Sequence, residues 1–130
     1  MDDASRTRVI LTRLEPGTTW HVSPQRQAWR PPTDIYETED SYVIEMDVSG
    51  MQRTDFRIAL QGRRVHISGV RRAPRDELRA YHQMEIGTGE FRAAFDLPDV
   101  VDSDAATATY EEGSLRVVIA KRRPRRIDVR

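Results

Sequence analysis

The 130-residue sequence contains no cysteine, and this removes disulfides, thiolate nucleophiles and thiolate metal sites together. A reducing compartment is compatible with that. Lysine is nearly absent as well, since 20 of the 21 basic residues are Arg and Lys121 is the exception. The bias suits planar, bidentate contacts to carboxylates at interfaces, although genome composition alone would also produce it. Net charge is lacking too: 21 basic and 21 acidic residues cancel, so no global field draws the chain to nucleic acid or anionic membranes. No run approaches the roughly 20 apolar residues of a membrane helix. Near the N-terminus the only apolar run is Val9-Ile10-Leu11, among Asp2, Asp3, Arg6, Arg8 and Arg13, too short for the core of a signal peptide. The expectation is a cytoplasmic protein with neither nucleic acid nor membrane as partner.

Catalytic and cofactor constellations are missing in the same way. There is no GxxxxGK[ST] loop, and Gly87-Thr88-Gly89 is a lone GxG without a strand-to-helix context. ATP use is therefore not expected. His21, His66 and His82 lack the spacing that converges on zinc. On a strand His66 faces away from Val65 and Ile67, and it reads as a half-exposed structural histidine. Asp99, Asp102 and Asp104 lack the glycine and glutamate of a calcium loop, and a solvated turn accounts for them. Neither Ser49-Gly50 nor Gly113-Ser114 builds a GxSxG elbow. No enzyme, metal or cofactor is expected.

What is present is a period of two. Tyr42, Ile44, Met46 and Val48 alternate with Val43, Glu45 and Asp47, and Ser49-Gly50 ends the run. Phe56, Ile58 and Leu60 repeat the pattern, followed by a turn at Gln61-Gly62 and then Val65-His66-Ile67. Phe91, Ala93, Phe95 and Leu97 form another face before Pro98, which cannot donate to a ladder. Ala106, Ala108 and Tyr110, the turn Glu111-Glu112-Gly113, and Leu115, Val117 and Ile119 complete the series. About seven or eight short strands between turn signals predict an all-β fold, an immunoglobulin-like antiparallel β-sandwich, over residues 33–121.

Residues 1–32 contain Pro16-Gly17, Pro24 and Pro31-Pro32 and read as an arm with weak local structure. Val9, Ile10, Leu11, Leu14, Trp20 and Trp29 give it apolar anchors. They are candidates for client contact, and packing of the two Trp rings on their own domain is the other reading. Between Gly69 and Gly87 the alternation breaks into a long charged excursion, Arg71 to Arg79, of a length usually tied to function. Residues 122–130 form a tail that is basic until an isolated Ile127-Asp128-Val129. With no aromatic interleaved for base stacking, the basic stretch reads as solubilising rather than as a nucleic-acid site.

Taken in order, six segments resemble the α-crystallin domain of bacterial and plant small heat-shock proteins. They are Asp34-Ile35-Tyr36-Glu37, Tyr42 through Met51, Val65-His66-Ile67-Ser68-Gly69, Gly89-Glu90-Phe91, Phe95-Asp96-Leu97-Pro98 with Val101-Asp102, and Ala108 through Leu115. The last holds the family's Ala-x-x-x-x-Gly-x-Leu signature. Departures are Ala93 where the family usually has Arg, and Ser49 and Ala120 in place of Pro. The resemblance implies an ATP-independent holdase that binds partly unfolded proteins and assembles as oligomers of dimers. Ile127 and Val129 would be the two anchors inserted into a neighbour's groove, whose matching strands carry Phe56, Ile58, Leu60, Ala106 and Ala108. The excursion, with Tyr81-His82-Gln83-Met84 as its strand, would pair with the partner's strand near Asp34 to Thr38. A non-oligomeric co-chaperone or interaction module is the alternative, sharing the sandwich but with no use for the Ile-x-Val tail.

Overall fold

The computed structural model describes residues 7–8, 11–13, 29–73 and 79–122. In chain order its strands are β1 (Thr7–Arg8), β2 (Leu11–Arg13), β3 (Thr33–Glu37), β4 (Ser41–Asp47), β5 (Phe56–Gln61), β6 (Arg64–Arg71), β7 (Gly89–Asp96), β8 (Ala106–Glu111) and β9 (Ser114–Ala120). They form two sheets, ordered β1-β8-β9-β4-β3 and β2-β5-β6-β7. Every neighbour pair is antiparallel except β2 on β5, which is parallel. Among the described residues no helix is long and apolar enough to cross a membrane.

The alternating side chains meet between the sheets. Ile44, Met46, Ile58, Ile67, Phe91, Leu115, Val117 and Ile119 are fully buried there, the arrangement expected when each strand presents one apolar face to an opposing sheet. Three buried residues, Val43, Ala59 and Ser68, break the alternation. Val43 lies on the outer face, yet its register neighbours Tyr36 and Val118 flank it across β3 and β9 and leave it 1% exposed. Ala59, also outward, is buried between its register partners Thr12 of β2 and His66 of β6.

Turn chemistry fixes the hairpins. Between β8 and β9, Glu112 (φ 49°) and Gly113 (φ 79°) both sit in the left-handed region, as a two-residue type I′ turn requires. A Cβ at Gly113 would also stand 3.1 Å from the Ser49 Cβ, so the turn demands glycine twice over. Its carbonyl accepts a 2.8 Å hydrogen bond from the Val48 N–H, tying this hairpin to the end of β4. Asp102 accepts from the Asp104 N–H at 3.0 Å, so the acidic cluster shapes the short 3₁₀ turn Ser103–Ala105 that leads into β8.

A clasp joins the end of the arm to the root of the excursion. Trp29 packs edge-on against Phe91, ring centroids 5.3 Å apart, and its Nε1 donates to the Gly89 carbonyl at 3.1 Å. The Arg71 guanidinium lies 4.0 Å above the Trp29 ring, donating from Nε to the Gly87 carbonyl at 2.8 Å and from Nη1 to the Ser49 carbonyl at 3.2 Å. Gly87 approaches so closely that a Cβ there would fall 2.8 Å from the indole. Trp29 thus packs on its own domain. Trp29→Ala removes the ring on which Arg71 and Phe91 rest, and is expected to destabilise the fold by about 2 kcal/mol, read as a lower urea midpoint.

His66 is half-buried on the outer face of β6, opposite Ala59 and Ala94. Burial, and secondarily the nearby Arg64 charge, pull its pKa below the ordinary 6.5, with Asp96 opposing. The folded state therefore disfavours the imidazolium, and the unfolded chain binds the proton first as pH falls. Stability contributed by neutral His66 is complete above about pH 6.5 and declines as pH drops from there to the folded-state pKa. His66→Gln should flatten the fall in melting temperature between about pH 7 and about pH 5. An unchanged slope would remove His66 from that dependence.

Candidate assembly surfaces

A strand edge is a row of backbone donors and acceptors that another segment can complete. Without the arm, β8 and β5 would be the edges on one side of the sandwich, and both are covered in part. Thr7 and Arg8 pair with Tyr110 and Thr109 of β8, while Leu11, Thr12 and Arg13 pair with Ile58, Ala59 and Leu60 of β5. Strand β2 also lies against β8. One short segment thus has its first strand on one sheet and its second on the other.

The residues expected to line a groove are brought together on this same side. Phe56, Ile58, Leu60 and Ala108 are buried in the core cluster, and Ala106 is partly buried against it. Phe56 lies 4.9 Å from the Tyr110 ring, whose hydroxyl donates to the Val48 carbonyl at 2.8 Å and accepts from the Met51 N–H at 3.3 Å. This polar link holds the start of β5 beside the end of β8.

The opposite side is differently built. β3 pairs only with β4, and Ile35, although in register with the fully buried Ile44, is 47% exposed because β3 ends its sheet. Tyr36 is exposed beside it, donating to Glu45 Oε1 at 2.7 Å, a bond that raises its pKa above the usual value. Tyr81, Met84 and Ile86 are exposed along the excursion and, with Ser49 and Arg71, line a shallow cavity of about 350 Å³. Residues 81–84 make no strand in the single chain, and His82 is exposed.

Where the sandwich ends, Lys121 Nζ reaches Glu37 Oε2 at 2.7 Å, which raises the lysine pKa. The Lys121 N–H donates to the Asp40 carbonyl at 2.8 Å, so the sole lysine fixes the point from which the tail departs. On β7, Ala93 faces inward at 8% exposure opposite Ile67. Arg92 points the other way and meets Glu90 Oε1 at 2.6 Å, so it cannot serve at the inward position.

Ile127 and Val129 of the tail, and Val9, Ile10, Leu14 and Trp20 of the arm, lie outside the described residues, and of Leu11 only the backbone pairing is described. The strand character of residues 7–8 and 11–13 is the feature that period-two patterning does not announce. Its signal was the β-branched density of Thr7, Val9, Ile10 and Thr12 in a short stretch bounded by arginines.

The profile of the Hsp20/alpha crystallin family matches residues 34–130. Spore protein SP21 of Stigmatella aurantiaca is 35% identical over 106 residues, covering 78% of this chain and 63% of that protein. The 17.0 kDa class II heat shock protein of Zea mays is 33% identical over 108 residues, covering 82% and 70%. Among solved structures, a small heat-shock protein from Xylella fastidiosa, reported to have a distinct high order structure, aligns with a TM-score of 0.66 at 30% identity over 79% of this chain and 98% of that one. A sandwich ordered as above and a profile match running from β3 through the tail lead to one statement: the chain belongs to the Hsp20/alpha crystallin family, the small heat-shock proteins, chaperones of the stress response.

Proposed function

We propose that this chain is an ATP-independent holdase that assembles as oligomers of dimers and captures partly unfolded proteins by their exposed apolar surface. The supporting observation is the pair of edge systems at opposite sides of the sandwich, β5 and β8 paired with a short segment and β3 carrying exposed Ile35 and Tyr36, together with Tyr81 and Met84 exposed on the excursion. In this reading residues 1–32 are an arm that contacts clients, 33–121 the assembling sandwich, 122–130 the linking tail, and the protein works in the cytoplasm without cofactor or nucleic acid.

Dimers form when the excursion of one chain adds Tyr81 to Met84 as a strand to the free side of the partner's β3. Oligomers form when Ile127 and Val129, two apart and so directed alike from an extended segment, enter a neighbour's β5/β8 side. Burying both contributes about 3 to 6 kcal/mol gross, at roughly 1.5 to 3 each. Ordering the tail offsets much of this, so single contacts are weak and many together hold the assembly.

Wild type should suppress light scattering by an aggregating client without ATP, and Ile127→Ala/Val129→Ala should shift sizing to smaller assemblies. No suppression at several-fold excess would defeat the holdase reading, whereas unchanged size would defeat only the tail contact. Tyr81→Asp/Met84→Asp alters two exposed side chains and should halve the mass of the tail-silenced species by light scattering. A dimer that survives this change, with the melting temperature of the parent, would rule out the exchanged strand.

A further inference from the structure

We infer that the outer face of the β5-β6-β7 sheet carries a phosphate-binding site, with Ser68 as its floor and Arg57, Arg72 and Arg92 as its cationic walls. Ser68 is the single buried polar residue among the described residues, 5% exposed although it lies on the outer face of β6. Its register partners explain the burial. Arg57 of β5 and Arg92 of β7 stand on either side of it, and the stems of such long side chains cover a small neighbour between them. The Ser68 hydroxyl has no hydrogen-bond partner among the described residues. A buried hydroxyl normally has one, because its desolvation is otherwise uncompensated. Above Ser68 the face opens into a cavity of about 370 Å³, so the hydroxyl is directed into a space of small-molecule size.

The charge around that space is positive. Neighbouring strands lie about 4.8 Å apart, so Arg57 and Arg92 flank Ser68 across about 10 Å, a gap that two guanidinium forks can close over one anion. Arg72, at the root of the excursion, lines the same cavity. Two carboxylates line it as well, and both are engaged. Asp55 accepts from the Gln52 N–H at 2.9 Å, and Glu90 Oε1 accepts from Arg92 Nε at 2.6 Å, which holds that guanidinium over β7. Arg57 and Arg72 have no ion-pair partner among the described residues. Three guanidiniums against two carboxylates leave the cavity cationic in a chain whose total charge is zero.

A phosphate group matches this donor set. Arginine forks donate in pairs to its oxygens, and the Ser68 hydroxyl donates to a further oxygen, which supplies the partner the buried group lacks. A carboxylate has two oxygens in one plane, fewer than donors arriving from both flanks and from below can use. Val70 is 43% exposed and lines the same cavity, offering an apolar contact to the organic group of a phosphomonoester. Free phosphate and a small phosphomonoester are therefore two sources of the one chemistry. Either would bridge β5, β6 and β7 to the root of the excursion, and a ligand held only by the folded chain stabilises it in proportion to its occupancy.

The test is isothermal titration calorimetry of the full chain with inorganic phosphate, and separately with phenyl phosphate, at constant ionic strength. Wild type should show saturable binding. Arg57→Gln/Arg72→Gln changes two exposed side chains and should weaken that binding about tenfold or more. Ser68→Ala gives a pair of signs that a diffuse charge effect would not. Without phosphate its melting temperature should equal or exceed that of wild type, because an unpartnered buried hydroxyl is gone, while its phosphate affinity should fall about fivefold. Tighter binding of phenyl phosphate than of phosphate, lost in Val70→Ser, assigns a monoester; phenyl phosphate binding no tighter assigns free phosphate. No saturable binding of either, or equal binding by wild type and the arginine variant, overturns the site. A Ser68→Ala protein that melts below wild type in phosphate-free buffer would show the hydroxyl satisfied within the fold, and overturns its place as the floor.

Discussion

An open sandwich must end each sheet at a strand whose outer row of backbone groups lacks a ladder partner, and that row either meets water or is completed by something else. In this chain the requirement arises from the core itself. The inward residues of β4, β5, β6, β7, β8 and β9 fill the space between sheets of unequal strand number, so β3 overhangs on one side while β5 and β8 stand at the other. The first edge is left open with Ile35 exposed, and the second pair is partly paired by residues 7–8 and 11–13. Both surfaces used in the proposed assembly are thus consequences of how the sheets end, and neither needs a dedicated pocket.

Interactions at the boundaries of the sandwich set where the extensions begin. Trp29, Arg71 and Gly87 bind the last described residues of the arm to the root of the excursion through stacking and backbone carbonyl contacts. Lys121 does the same for the tail by pairing with Glu37 and Asp40. An exposed ion pair such as Arg64 with Asp96, 2.8 Å apart across β6 and β7, adds little stability by comparison. The clasp differs because Arg71 is partly buried and satisfies two carbonyls that no strand partner reaches. A charged excursion can therefore be long without loosening the sheet from which it springs.

Strand order and core were legible from period-two patterning, since Tyr42, Ile44, Met46, Phe56, Ile58, Phe91, Phe95, Leu115 and Val117 are buried where the alternation puts them. The type I′ turn was legible at Gly113 but not at Glu112, whose positive φ carries no glycine to announce it. Val43 escaped because its burial comes from Tyr36 and Val118, residues distant in sequence that only the register brings beside it. β1 and β2 escaped for a related reason: strands of two and three residues have no period to detect, and their pairing depends on edges formed far along the chain. Local patterns report what a residue faces within its own strand. Register and edge completion are properties of the assembled sheets.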